Sequence, residues 1–252
     1  MILKKPEIYG KLSIKEIFML SLKRSFVLVI TALIAVSAAF AQTKSEREMT
    51  VEESYLQKSI ELMIIRETAR SETREQKFIA LEYIKDALGR GNNDDDIRQT
   101  LEFLSREGRM TVSRENGRVT NNFPDVRRQA AKYLGQMGTP EAQKSLMEIT
   151  RFENEPMVLQ EAIKALGDIG NNDNNETVEH IAWVVKRFDT LNPDNLMAIA
   201  TIDAFEKIAK KNNGLNSQNA IQVLARISEG NYVTPVKERA RQLLADLRSY
   251  SN

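Results

Sequence analysis

The sequence predicts an all-α fold: an α-solenoid of about five antiparallel helix pairs, armadillo-like in outline, with a small β-hairpin insertion. Three observations point there. One apolar stripe recurs along the chain, prolines stand just ahead of its copies, and the one overlong interval between copies holds an Asn-Gly pair between β-prone runs.

The stripe is clearest at Val126, Ala130, Tyr133, Leu134 and Met137, spaced i, i+4, i+7, i+8 and i+11. That spacing lines one face of an α-helix. It repeats 32 residues later as Val158, Ala162, Ala165, Leu166 and Ile169, with Gly135 and Gly138 recurring as Gly167 and Gly170. Steps of 39 then give Met197, Thr201, Ala204, Phe205 and Ile208, and Val236, Ala240, Leu243, Leu244 and Leu247. Fifty residues before Val126 lies a weaker copy, Gln76, Ala80, Tyr83, Ile84 and Ala87, whose first position is polar. Pro124, Pro156, Pro193 and Pro235 precede four of these helices, where a missing N–H leaves no bond unmade, and Pro140 opens another helix after Gly138.

A second amphipathic segment comes before each striped helix: Val51–Ser71, Asp94–Glu107, Thr139–Phe152, Glu176–Phe188 and Ser217–Ser228. Turns rich in Asn and Asp, Gly91–Asp96 and Gly170–Asn175, separate consecutive pairs. A single helix pair cannot bury its own apolar face, so neighbouring pairs are expected to stack.

The N-terminus reads differently. Lys23-Arg24 is followed by an apolar run over 26–39, then Ala39-Phe40-Ala41 and a polar segment from Gln42. A basic lead, a short apolar stretch and an Ala-x-Ala site form the pattern of a secretory signal peptide, and the stretch falls short of the roughly 20 apolar residues of a membrane span. Residues 1–41 are therefore expected to be removed, with Ala39 and Ala41 marking the site and Gln42 starting a mature chain, 42–252, that has no stable membrane insertion. Residues 1–18 are long and polar for such a lead, so Met19 is a candidate start. No cysteine is present to carry a lipid anchor or a disulfide, and the product is expected in the periplasm or secreted.

The interval from Gln76 to Val126 is too long, and the excess lies in 108–123. Asn116-Gly117 between the runs starting at Arg109 and ending at Thr120 predicts a hairpin inserted between two helices. Arg106, Arg109, Arg114, Arg118, Arg127 and Arg128 cluster there against Glu107, Glu115 and Asp125. Planar guanidiniums suit carboxylates or phosphates, so Arg109, Arg114, Arg118, Arg127 and Arg128 are the candidate partner-binding residues. Solvated pairing with nearby acids is the structural alternative.

Asp125-Val-Arg followed by Ala-Ala and Leu-Gly, and Glu155-Pro-Met-Val followed by Glu-Ala-Ile-Lys-Ala-Leu-Gly-Asp-Ile-Gly, resemble the second helix of bacterial HEAT repeats. They are especially similar to the short-period HEAT-like repeats first catalogued in phycobilisome lyases. The resemblance is close over about 124–170 and looser over about 72–250. It implies a scaffold fold that serves many unrelated functions. The 32–39 spacing is shorter than that of larger HEAT repeats, and the last two copies lack the Leu-Gly pair.

Catalytic signals are scarce. His180 stands alone, and GxxxxGK[ST], HExxH and GxSxG patterns are missing, so no catalytic residue, cofactor or metal site is assigned. The Asp94–Asp96 and Asn171–Asn175 clusters read as helix caps rather than calcium loops. His180 with Trp183 reads as packing, and Phe152 and Phe188 as staples of two corresponding turns. Outside residues 1–41, 30 basic and 33 acidic side chains leave no field to attract nucleic acid. The expected function is a non-catalytic scaffold binding another protein or an envelope component. A structural subunit of an envelope assembly and a HEAT-like lyase are the alternatives.

Overall fold

The computed structural model describes residues 50–189 and 193–250. The expected cleavage residues Ala39, Ala41 and Gln42 lie outside them. The chain divides into units covering 1–54 and 55–252. Among the described residues of the first unit, Thr50 and Glu53 form a reciprocal capping box, each side chain accepting from the other's backbone N–H.

Ten helices are described: α1 (Val51–Arg70), α2 (Arg74–Gly89), α3 (Asp95–Arg106), α4 (Pro124–Met137), α5 (Pro140–Phe152), α6 (Pro156–Ile169), α7 (Glu176–Asp189), α8 (Asn195–Lys211), α9 (Gln218–Glu229) and α10 (Thr234–Ser249). Strands β1 (Arg114–Glu115) and β2 (Arg118–Val119) lie between α3 and α4. The boundaries of the five first helices fall within about one residue of the expected ones because the stops are local chemistry. Thr139, Asp194 and Ser217 accept backbone N–H bonds as N-caps of α5, α8 and α9. Gly138 and Gly170 close α4 and α6 in the left-handed region at φ 68°.

The pairs α3–α4, α5–α6, α7–α8 and α9–α10 stack as two layers. Second helices pack on second helices, α2 to α4 to α6 to α8 to α10, and first helices follow suit from α3 to α9. This is an α-solenoid of HEAT-like repeats. The stripe is its core: in α4, α6, α8 and α10 every stripe position is buried except the half-buried Leu244. In α2, Ala80, Ile84 and Ala87 are buried, but Gln76 and Tyr83 are exposed.

The shared Leu-Gly pairs have a packing reason. A Cβ on Gly135 would fall 2.6 Å from the Cβ of Ala165, and one on Gly167 would fall 2.5 Å from the Cα of Ala204. Both glycines let one second helix press onto the next, and in each case the facing residue is alanine. At the same register α2 has Lys85 and α8 has Glu206, while the positions corresponding to the two alanines are Tyr133 and Leu243. Glycine therefore appears where the next helix offers a small residue. Exposed ion pairs follow the same stack: Arg74–Asp125, Arg128–Glu161 (3.6 Å), Lys207–Asp168 (2.5 Å) and Arg239–Asp203 (2.6 Å). Each is too solvated to stabilise by more than about 1 kcal/mol.

Candidate interaction surface

The hairpin is built on a buried stem. The backbone carbonyl of Arg106, ending α3, accepts from Arg109, Met110 and Thr111. Gly108 sits at φ +70°, and a Cβ there would meet Asn121 O and Asn122 Cα at 2.6 Å, so neither its conformation nor its space admits a side chain. Asn121, 6% exposed, clamps the two arms: Oδ1 accepts from Ser113 N (2.9 Å) and Nδ2 donates to Thr111 O (2.8 Å). Above it, residues 111–120 are all exposed. Arg114 pairs with Val119 and Glu115 with Arg118 in antiparallel register, and Asn116 and Gly117 turn the chain at φ 49° and 80°. Two consecutive positive-φ residues make the primed turn that Asn-Gly favours.

The expected arginine cluster separates into two groups. Arg114 and Arg118 stand on the exposed tip, Arg114 donating only to Gly117 O at 3.3 Å. Arg128 is exposed but belongs to the ion-pair ladder of α4 and α6, away from the tip. Arg109 is turned inward, donating to Phe152 O (3.1 Å) with its Nε 3.5 Å from Glu153. Arg127 is the correction. It is fully buried, and its guanidinium donates to Glu153 (2.7 Å), Glu107 O (3.2 Å) and Asn122 (2.8 Å). Nothing of it reaches a surface, so it leaves the candidate set. Arg106 likewise pairs with Glu148 at 2.6 Å. The local excess of basic residues in the sequence is largely cancelled by acids that the fold brings in from other helices.

That cancellation exposes a feature missed in the sequence. Lys77, fully buried on α2, lies 2.7 Å from Glu107, which follows α3, and donates to Ala69 O. Arg127 on α4 makes the same pairing with Glu153, which follows α5. In both rungs a cation one residue past the first stripe position of a second helix meets an acid after the first helix of the next pair. The recurring acid was legible; that it is buried was not. Glu153 also accepts from the backbone N–H groups of Asn154 and Glu155, so its charge is well satisfied in the interior.

Two local readings also change. Phe152 is 52% exposed and staples nothing, whereas Phe188 packs against the core. The corresponding turn is held by Arg187 instead, which stacks on Trp183 and Phe188 and donates to the carbonyls of Thr150, Arg151 and Glu153. Asp94 sits at the N-cap of α3 without a capping bond, pairing with Lys58 at 2.7 Å, and Asp96 pairs with Arg66. The asparagine cluster does make its turn: Asn172 accepts from Val178 N, and Asn174 and Asn175 have positive φ. Among the described residues no group of His, Cys, Asp or Glu could hold a metal ion, and no helix is long and apolar enough to cross a membrane.

His180 is a packing residue. Thr150 Oγ1 commits its proton to Met147 O, so it accepts from His180 Nε2 at 2.6 Å. Burial, and then the charges of Arg151 and Arg187, push the imidazole pKa down to about 4. At neutral pH the ring is neutral, and the hydroxyl beside it, that of Thr150, is fully buried and bonded to Met147 O.

Residues 117–192 match the family model described as HEAT repeats. The match begins at the hairpin turn and spans α4 to α7, taking in the Arg127–Glu153 rung and the contact of Gly135 with Ala165. No curated protein matches the chain.

Proposed function

We propose that this chain is a non-catalytic protein-interaction scaffold, exported to the periplasm after cleavage between Ala41 and Gln42, and that the hairpin tip takes part in holding its partner. HEAT repeats generally mediate protein–protein contact and scaffolding, which supports the first part. The observation that carries the second is the construction of the hairpin: a stem fixed by buried Asn121 and Gly108 presents Arg114 and Arg118 on a fully exposed tip. A rigid base with an exposed cationic end is how repeat scaffolds often place recognition outside their helices. Guanidiniums there favour an acidic protein surface. The apolar segment before Ala39-Phe40-Ala41 supports export.

Capture of partners from the periplasmic fraction tests the reading. Arg114→Glu with Arg118→Glu should lose the partner, because it adds repulsion to an exposed contact, and wild-type capture should weaken with salt. Identical partners for wild type and variant would refute the role of the tip. N-terminal sequencing of the native protein tests export: a chain that starts at Gln42 supports it, and one that retains residues 26–38 overturns it.

A further inference from the structure

Second helices have a face turned toward the preceding pair, and the packing fixes its register. Ala165 and Ala204, at the i+7 stripe position, lie against Gly135 and Gly167 of the helix before. One turn earlier, Glu161 and Arg239, at the i+3 position, reach back to Arg128 and Asp203. In α2 these two positions are Ile79 and Tyr83, and no second helix precedes α2 among the described residues. Ile79 is 43% exposed and Tyr83 39%, whereas Tyr133, Ala165, Ala204 and Leu243, the counterparts of Tyr83, are at most 5% exposed.

With Phe78, Glu82 and Asp86 they line a groove of about 470 Å³. The far end of the stack is different. The α10 positions that would face a following pair are Glu238, Gln242, Ala245 and Asp246, all exposed and mostly polar. A polar outer face is what a terminal repeat needs for solubility. Among the described residues, the stack presents a polar face at α10 and a partly apolar one at α2.

We propose that the open face of α2 docks an amphipathic helix of a partner protein, with an apolar ridge over Ile79 and Tyr83 and basic side chains over Glu82 and Asp86. The proposal deepens the scaffold reading by naming a second, separate contact and the chemistry of what fits it. Two features choose the occupant. Inside the stack, this face is covered by one helix, laid along it with its own apolar side inward. Charge supplies the rest: the groove is flanked by Glu82 and Asp86, and Asp86 occupies the register from which Lys207 of α8 reaches back to an opposite charge, Asp168, on the preceding second helix. Glu82 shares Lys85 at 3.1 Å, an exposed pair that an incoming cation can replace. A second copy fits poorly. Its own α2 edge would set Glu82 and Asp86 against the same acids, and its α10 end offers Glu238 and Asp246. Like charges across an interface select against that pairing.

The test uses the full chain and two labelled synthetic helices, one with a Leu/Ala face flanked by lysines and one with the lysines replaced by glutamates, followed by fluorescence anisotropy. The lysine peptide should bind saturably and the glutamate peptide should not. Ile79→Asp with Tyr83→Asp should weaken binding at least about tenfold, as removal of a central apolar anchor does. Both side chains are exposed, so helicity should persist. Glu82→Gln with Asp86→Asn, which leaves the apolar floor intact, should weaken binding several-fold and flatten its salt dependence. Arg114→Glu with Arg118→Glu should leave peptide affinity unchanged, so loss of hairpin capture and loss of groove binding are separately visible. Failure of the full chain to bind the lysine peptide, equal affinity in the Ile79/Tyr83 variant, or equal binding of the glutamate peptide overturns the proposal. So does self-association in sedimentation velocity that the Ile79/Tyr83 variant abolishes, since the occupant would then be a second copy.

Discussion

The middle of the solenoid and its first pair carry the same stripe with opposite outcomes. In α6 all five positions are buried, because α4 presses on one side through Gly135 and α8 on the other through Ala204. In α2 the same register buries Ala80, Ile84 and Ala87 but leaves Tyr83 in solvent. First helices show the same contrast. Only Ile65 and Ala69 are buried in α1, and Tyr55, Leu56, Ile60 and Met63 are exposed; in α5 the buried positions run the length of the helix. A stripe states which face is apolar. Whether that face is core depends on having neighbours on both sides, as expected of a quasi-one-dimensional fold.

The largest loss of stability is expected at the buried rungs. Arg127→Ala should cost about 3–5 kcal/mol, because it takes the nearest cation from a buried carboxylate and leaves Glu153 only Arg109 at 3.5 Å and two backbone N–H groups. Replacing both residues with leucine should recover much of the loss. Urea midpoints at neutral pH decide this, and an Arg127→Ala loss below about 1 kcal/mol would mean that the carboxylate finds water.

Next, Leu166→Ala should cost about 2–5 kcal/mol, as large-to-small changes in a well-packed core do. Tyr83→Ala in the open pair should stay within about 0.5 kcal/mol. Equal costs at the two sites would end the distinction between middle and edge. Gly135→Val, in turn, should cost about 1–3 kcal/mol by overpacking against Ala165. The double change Gly135→Val with Ala165→Gly should recover part of that, measured as a thermodynamic cycle.

The smallest effect is electrostatic. His180 is held near pKa 4 in the folded chain against 6.5 when exposed. Between those values the unfolded chain binds more protons, so stability should be full above about pH 6.5 and fall as pH drops toward 4. The full shift would be worth about 3 kcal/mol, and partial exposure of the ring reduces that to about 1–2 kcal/mol. His180→Gln should flatten the pH 4–6.5 part of the stability curve. An unchanged slope in that variant would assign it to carboxylates instead.

Some of the chemistry was legible early because it is local. Asn116-Gly117 specifies its own turn through two positive φ values, and Thr139 and Ser217 cap the helices they precede, so hairpin and boundaries fell where expected. Arg127 was misread for the opposite reason. Its neighbours in sequence form a basic run, but its partner in space, Glu153, is 26 residues away and on another pair. Phe152 and Phe188 occupy corresponding sequence positions, yet only Phe188 lies against the core, with the Arg187 guanidinium over its ring.

The apolar face of each helix, the turns and caps, and the place of the insertion were readable in the chain because each depends on residues within a few positions of one another, and the period followed from their recurrence. The tertiary structure decided which charges are surface and which are buried, why glycine recurs in only two copies, and which end of the stack stays open. Those outcomes depend on what the neighbouring pair presents across an interface. A carboxylate brought in from the next repeat turns Arg127 from a surface cation into an interior one, and with no second helix before α2 among the described residues, Ile79 and Tyr83 are exposed.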